Sequence, residues 1–277
     1  MRSQSNGEKL KDPMPEGNEI HRFARRHAAA FAGKRVSVDS PNGGFPDAES
    51  LHGRKLRTVV AHGKHLGYVF GRDLILHVHL GMYGDFWEGQ MPLPPEKGAL
   101  RLRIWTRSDW LELRGATDCS IFDSEKWQSL LSRLGPDPLH PGSDPAPVFE
   151  LMQRRNTPIG QLLMDQSVIA GIGNIYRAEL LFRAALHPRR PGRHVPRPAL
   201  QGIWREARRL MPKGMIDRRI VTTDPKDRRH PRGRAQDDEI HYVYRRHGKP
   251  CFRCGTKIEK DDMAGRTVYW CPSCQNS

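Results

Sequence analysis

The sequence predicts an α+β protein: an antiparallel β sandwich or barrel in the N-terminal half, a helical second half, and a small cysteine-rich module at the end. Three observations predict it. Six strand-like runs with no helix between them occupy residues 35–113. Five prolines in thirteen residues mark a break at 135–147. Four cysteines in two Cys-x-x-Cys pairs close the chain. Short strands without intervening helices pair antiparallel and close on themselves or on a second sheet.

The elements follow in order. Residues 1–13 read as a polar, unstructured leader, and a sandwich domain is expected over 14–134. Ile20, Phe23, Ala24, His27, Ala28 and Phe31 recur at the spacing of one helical face, and Gly33 stands where that helix stops. The strand-like runs are Arg35–Val38, Lys55–Val60, His65–Phe70, Leu74–Leu80, Leu100–Trp105 and Trp110–Leu113. Turn signals such as Pro41-Asn42-Gly43-Gly44 and Gly71-Arg72-Asp73 separate them. Residues 135–147 read as a linker. Beyond it, helical spacing runs through Val148–Arg155, Ile159–Asp165, Asn174–Ala185 and Pro198–Leu210, giving a helical domain over 148–240. Residues 212–239 are basic and poor in large apolar groups, which predicts a mobile loop. The cysteine module fills 241–277.

Forty-six Lys and Arg against thirty-one Asp and Glu leave a charge of +15 over 277 residues. Such an excess favours a polyanionic partner, because neutralising phosphates releases counterions, although charge also serves plain solubility. No apolar run approaches the roughly 18 residues that a membrane span needs, and the first residues lack the apolar core of a secretory signal. A cytoplasmic address with no membrane partner is expected, nucleoid-associated in a bacterium.

The sharpest motif is Cys251-x2-Cys254-x16-Cys271-x2-Cys274. Two such knuckles place four thiolates around one zinc ion, and four cysteines leave no open coordination for water, so the metal is expected to be structural. Two disulfides or a redox pair are the alternatives, disfavoured by a reducing compartment and by the lack of a strand-then-helix context. Cys119 is isolated and reads as a core residue. Between the knuckles, Gly265-Arg266 could present a guanidinium to a phosphate or be a solvated surface arginine. In residues 162–182, Gly171-Ile172-Gly173-Asn174 joins two apolar-periodic stretches. Exposed amides capped by Asn174 would form an anion site, whereas an ordinary helical hairpin is the plainer reading.

Three blocks carry a family resemblance: Met14-Pro15-Glu16-Gly17-Asn18-Glu19, the GIGNIYRAE stretch, and the terminal PCFRCGTKIEK…GRTVYWCPSCQ. They resemble formamidopyrimidine-DNA glycosylase and endonuclease VIII in order and spacing over residues 14–277. The resemblance implies an N-terminal β-sandwich with flanking helices, a helix–two-turn–helix domain with a four-cysteine zinc finger, and damaged double-stranded DNA in the cleft between them. A monomer is expected. It implies a base-excision-repair glycosylase with lyase activity, in which the secondary amine of Pro15 attacks C1′ of the damaged nucleotide, expels the base and forms an imine. Glu16 then matches a general acid/base and Lys64 a lysine near the sugar, while Glu19 matches a second acidic residue on the DNA-binding side. Asn174 and Arg266 match two phosphate clamps. His79-Leu80-Gly81-Met82-Tyr83-Gly84 resembles the wedge loop, with Met82 and Tyr83 filling the hole left by the flipped nucleotide; strand-end packing is the alternative for Met82.

Two departures bear on the implied function. Leu111-Glu112-Leu113-Arg114-Gly115-Ala116-Thr117-Asp118 stands where the formamidopyrimidine branch carries an Asp-Pro-Arg-Arg-Phe run, and Arg218–Thr223 also looks like the endonuclease VIII branch. Oxidised pyrimidines are the expected substrate. Thirteen residues precede Met14, and an amide-bound Pro15 has no nucleophilic amine, so a start at Met14 with removal of that methionine is expected. A catalytically silent damaged-DNA-binding protein is the alternative. A plain zinc-ribbon transcription factor leaves Pro15, Glu16 and Lys64 without roles.

Overall fold

The computed structural model describes residues 15–276, so the leader 1–13 and Met14 lie outside the described residues. Among the described residues helix α1 (Gly17–Phe31) comes first, then β1 (Ser37–Asp39), the single-turn α2 (Ala48–Leu51), β2 (Thr58–His62), β3 (His65–Gly71) and β4 (Leu74–His79). Strands β5 (Asp85–Gln90), β6 (Leu100–Trp105), β7 (Asp109–Arg114) and β8 (Asp118–Phe122) complete the first half. Two four-stranded sheets result, in the orders β1-β6-β7-β5 and β2-β3-β4-β8, with every pairing antiparallel. One apolar core fills the space between the sheets and α1. Ile20, Phe23 and Phe31 meet Leu66, Tyr68 and Val78 from one sheet and Leu102, Ile104 and Leu113 from the other. Burying each such side chain stabilises the fold by roughly 1.5–3 kcal/mol.

The second half is helical: α3 (Ser124–Ser132), α4 (Ala146–Gln153), α5 (Ile159–Leu162), α6 (Asn174–Arg183) and α7 (Arg197–Asp217). Its own core joins Phe149, Leu162, Tyr176, Leu180, Trp204 and Met211. Helix α7 runs seven residues past the expected Leu210 and through Pro212. The loop therefore begins later than the composition suggested. Met211 and Gly214 remain buried against the neighbouring helices, and that packing outweighs the one backbone donor that proline removes. The loop that follows contains buried Thr222 and Thr223, and the Thr222 hydroxyl donates to the buried Glu179 carboxylate.

The last two strands, β9 (Glu259–Asp262) and β10 (Thr267–Trp270), form a hairpin in the cysteine module. Ala264 and Gly265 at its tip both have positive φ. The proline-rich stretch is tied to its surroundings: Gly135 N–H donates to Gln166 O at 2.9 Å and Ala170 N–H to Pro136 O at 3.1 Å. Among the described residues no helix is long and apolar enough to cross a membrane.

Candidate active site

Two helix N-termini converge where the halves meet. Gly17 at the start of α1 donates its N–H to Gly171 O at 2.9 Å, just before α6. The approach demands glycine, because a Cβ on Gly17 would stand 2.8 Å from Gly171 Cα. Glu16, immediately before α1, is 2% exposed. Its carboxylate accepts hydrogen bonds from the N–H groups of Gly173 (3.0 Å), Ile175 (2.6 Å) and Tyr176 (3.3 Å). The expected exposed amides at the start of α6 are thus occupied by the chain's own carboxylate, which satisfies them and places its charge on the positive end of that helix. Burial raises the Glu16 pKa, opposed by Lys64 and by the three amides.

Lys64 sits in the two-residue turn between β2 and β3, flanked by the paired His62 and His65. That turn packs on the α6 approach, and Gly63, with φ +57°, would put a Cβ 2.9 Å from Ala170 Cβ. Gly63 N–H donates at 2.7 Å to Asp137, whose carboxylate also meets His21 Nε2 of α1 at 2.6 Å. Asp137 is fully buried and fixes the lysine turn to α1. Burial lowers the Lys64 pKa to about 8, with Glu16 raising it and Arg266 and Arg177 lowering it.

Pro15, Lys64, Met82, Arg177 and Arg266 line one cleft of about 600 Å3. Arg177 is 1% exposed, and burial and Arg266 bring its pKa down to about 10. It donates to Thr267 O at 3.0 Å and to Asn174 Oδ1. Asn174 donates to the same Thr267 carbonyl at 3.1 Å. Asn174 is therefore the first residue of α6 rather than its cap, which is Gly173, and its amide holds the hairpin bearing Arg266. Three cations around one buried carboxylate make a cleft that attracts anions.

Met82 and Tyr83 are 46% and 78% exposed on the turn after β4. A Cβ on Gly81 would fall 1.7 Å from Thr117 Oγ1, and one on Gly115 2.9 Å from Tyr83 O. Two positive-φ glycines thus let the 81–84 and 115–117 turns interlock and push both large side chains outward. Glu19 is set apart from the cleft lining, paired with Arg22 at 2.6 Å on α1. Sequence alone does not single out Asp137, which lies in a stretch that looks like a linker, or Arg177, which looks like one more surface charge.

The four cysteines place their sulfurs within 4.8 Å of one another. Cys251 and Cys274 are 3.9 Å apart and Cys254 and Cys271 3.4 Å. Tetrahedral zinc with bonds near 2.3 Å sets sulfurs about 3.8 Å apart, so the donor set and its spacing fit that metal. Cys119 is buried in the sandwich core.

Residues 14–116 match the formamidopyrimidine-DNA glycosylase N-terminal domain, residues 134–224 the formamidopyrimidine-DNA glycosylase H2TH domain, and residues 248–276 a zinc finger found in FPG and IleRS. Endonuclease 8 1 of Mycobacterium tuberculosis is 42% identical over 267 residues, covering 95% of this chain and all of that one. Endonuclease 8 of Pectobacterium carotovorum is 32% identical over 271 residues with the same coverage. A Lactococcus lactis formamidopyrimidine-DNA glycosylase solved on DNA with an AP site has the same fold, with TM-score 0.78 at 23% identity over 95% of this chain and all of that one. The chain belongs to the formamidopyrimidine-DNA glycosylase and endonuclease VIII family.

Proposed function

We propose that the protein is a base-excision-repair DNA glycosylase and AP lyase that works through the amine of Pro15. The observation that carries this reading is the cleft that Pro15 and Lys64 both line, beside a Glu16 carboxylate buried on the start of α6. With Pro15 as the N-terminal residue, its nitrogen attacks C1′ while the bond to the base breaks and the base leaves with a proton. The resulting imine is an electron sink, and elimination then cleaves the strand. Glu16, whose pKa burial raises, moves the proton that the departing base needs. Lys64 holds the sugar-phosphate near the amine.

Arg266, and Asn174 through the hairpin carbonyl that it grips, clamp the backbone of damaged double-stranded DNA. Glu19 supports that binding from α1, and Met82 and Tyr83 fill the vacated stack. One zinc ion held by Cys251, Cys254, Cys271 and Cys274 is structural and keeps the Arg266 hairpin rigid. Oxidised pyrimidines are the favoured lesion, a reading supported by the 42% identity to an endonuclease 8 and by the short Gly115-Ala116-Thr117 turn. The working unit is a single chain that acts on DNA in the cytoplasm.

Borohydride reduction on abasic duplex tests the reading. A chain beginning at Pro15 should give a covalent adduct, and the same chain with residues 1–14 attached should give none. Equal trapping by both, with the extension intact by mass, would refute the assignment of Pro15.

A further inference from the structure

A second cationic groove lies far from the catalytic cleft. It runs between the 226–229 loop and the first cysteine knuckle and encloses about 570 Å3. Helix α6 separates the two: Glu16 caps its N-terminus, whereas Arg253, in the groove, lies 4.9 Å over Phe182 near its C-terminal end. Ten helical residues span about 15 Å. Six cationic side chains line the groove against Asp227 and Asp238. Those two acids pair with Arg253 and Arg229, which leaves Lys226, Arg228, Arg246 and Lys249 with no ion-pair partner among the described residues. Even the two negative charges of a zinc tetrathiolate at the knuckle would leave the groove positive.

Arg246 forms the floor of the groove. It is 6% exposed, its two terminal nitrogens donate only to the Tyr242 and Pro250 carbonyls, and its Nε has no partner. Its guanidinium lies 3.5 Å over the Phe252 ring, and the Glu179 carboxylate is the charge that most favours its cationic form.

We infer that this groove is a second phosphate-binding site, which holds the backbone of a DNA segment other than the one in the catalytic cleft. Phosphate suits a groove lined by guanidinium and ammonium groups in excess of its two carboxylates, and a protein holding two segments can pass from one to the other without full release.

Sedimentation of the full chain with a short undamaged duplex measures the stoichiometry. Two duplexes per chain are expected, falling to one in Lys226→Glu/Lys249→Glu. Both lysines are exposed, so this variant should fold. Arg205→Glu/Arg208→Glu, an equal charge reversal on exposed α7 positions, should leave the count at two. A count of one in the unmodified chain would overturn the inference. So would two duplexes in the lysine variant, or displacement by polyglutamate with no second duplex bound.

Discussion

Gly173→Ala tests the site without touching a residue that reacts. Gly173 has φ −119°, which alanine adopts without strain, so the effect is steric. The new Cβ would stand 2.6 Å from Glu16 Cδ and 2.8 Å from Cγ. Ordinary contact begins near 3.4 Å, so the carboxylate must retreat by about 0.8 Å. Its bonds from Gly173 and Tyr176, already 3.0 and 3.3 Å, then pass beyond useful length. Bonds to a charged group contribute about 1.5–3 kcal/mol each, so a loss of about 3 kcal/mol or more is expected. At about 2–4 °C per kcal/mol the melting temperature should fall by roughly 6–12 °C. Moving a proton-transfer group by about 1 Å costs on the order of 100-fold in rate, or about 2.7 kcal/mol of barrier. Single-turnover excision at a temperature where both proteins are folded measures this directly. Gly202→Ala is the control: on α7 its Cβ would meet only Arg205 Nη2 at 4.0 Å, and it should stabilise by about 0.5–1 kcal/mol. Excision within threefold of the parent in Gly173→Ala, with an unchanged melting temperature, would refute the close packing of Glu16 on α6.

Removing zinc by chelation, or Cys254→Ser, should unfold the cysteine module and weaken binding to every duplex, read by metal analysis and anisotropy; metal-free protein that binds unchanged would contradict a structural role. Arg266→Ala should weaken binding to all sequences alike and lower the salt slope by about one; an unaltered slope would make the residue a surface charge. Lys64, with its pKa lowered to about 8 from 10.5, is a cation that folding disfavours. The unfolded chain therefore holds more protons between those values, and this contribution to stability should rise with pH across that window. Limiting acylation should label Lys64 half-maximally near pH 8, and at lower pH in Glu16→Gln, where a charge that raises the pKa is gone; a midpoint near 10 would contradict its burial.

Strands β2, β3, β4, β6 and β7 were legible because alternation and turn residues bounded them. β5 and β8 were not. The first carries an exposed Trp87 and polar Glu88 and Gln90, and the second a charged Asp118, so neither shows a clean apolar run. β9 is four exposed charged residues, paired only because the knuckles force a hairpin. α5 is a single turn where a longer helix was expected, although Leu163 keeps helical angles and turn hydrogen bonds run on to Asp165. The cysteines, Glu16 and Lys64 stood out through motifs. Asp137 and Arg177 did not, because their roles come from partners 74 and 90 residues away in sequence. No local pattern encodes such distances.

In the proposed reaction the Pro15 nitrogen forms the bond to C1′. Peptide mapping by mass spectrometry of the borohydride-reduced adduct, made with a chain beginning at Pro15, tests it most directly. The sugar remnant should be found on Pro15 alone, and Pro15→Gln should yield no adduct. A remnant on Lys64 instead, or an undiminished adduct in Pro15→Gln, would contradict the claim.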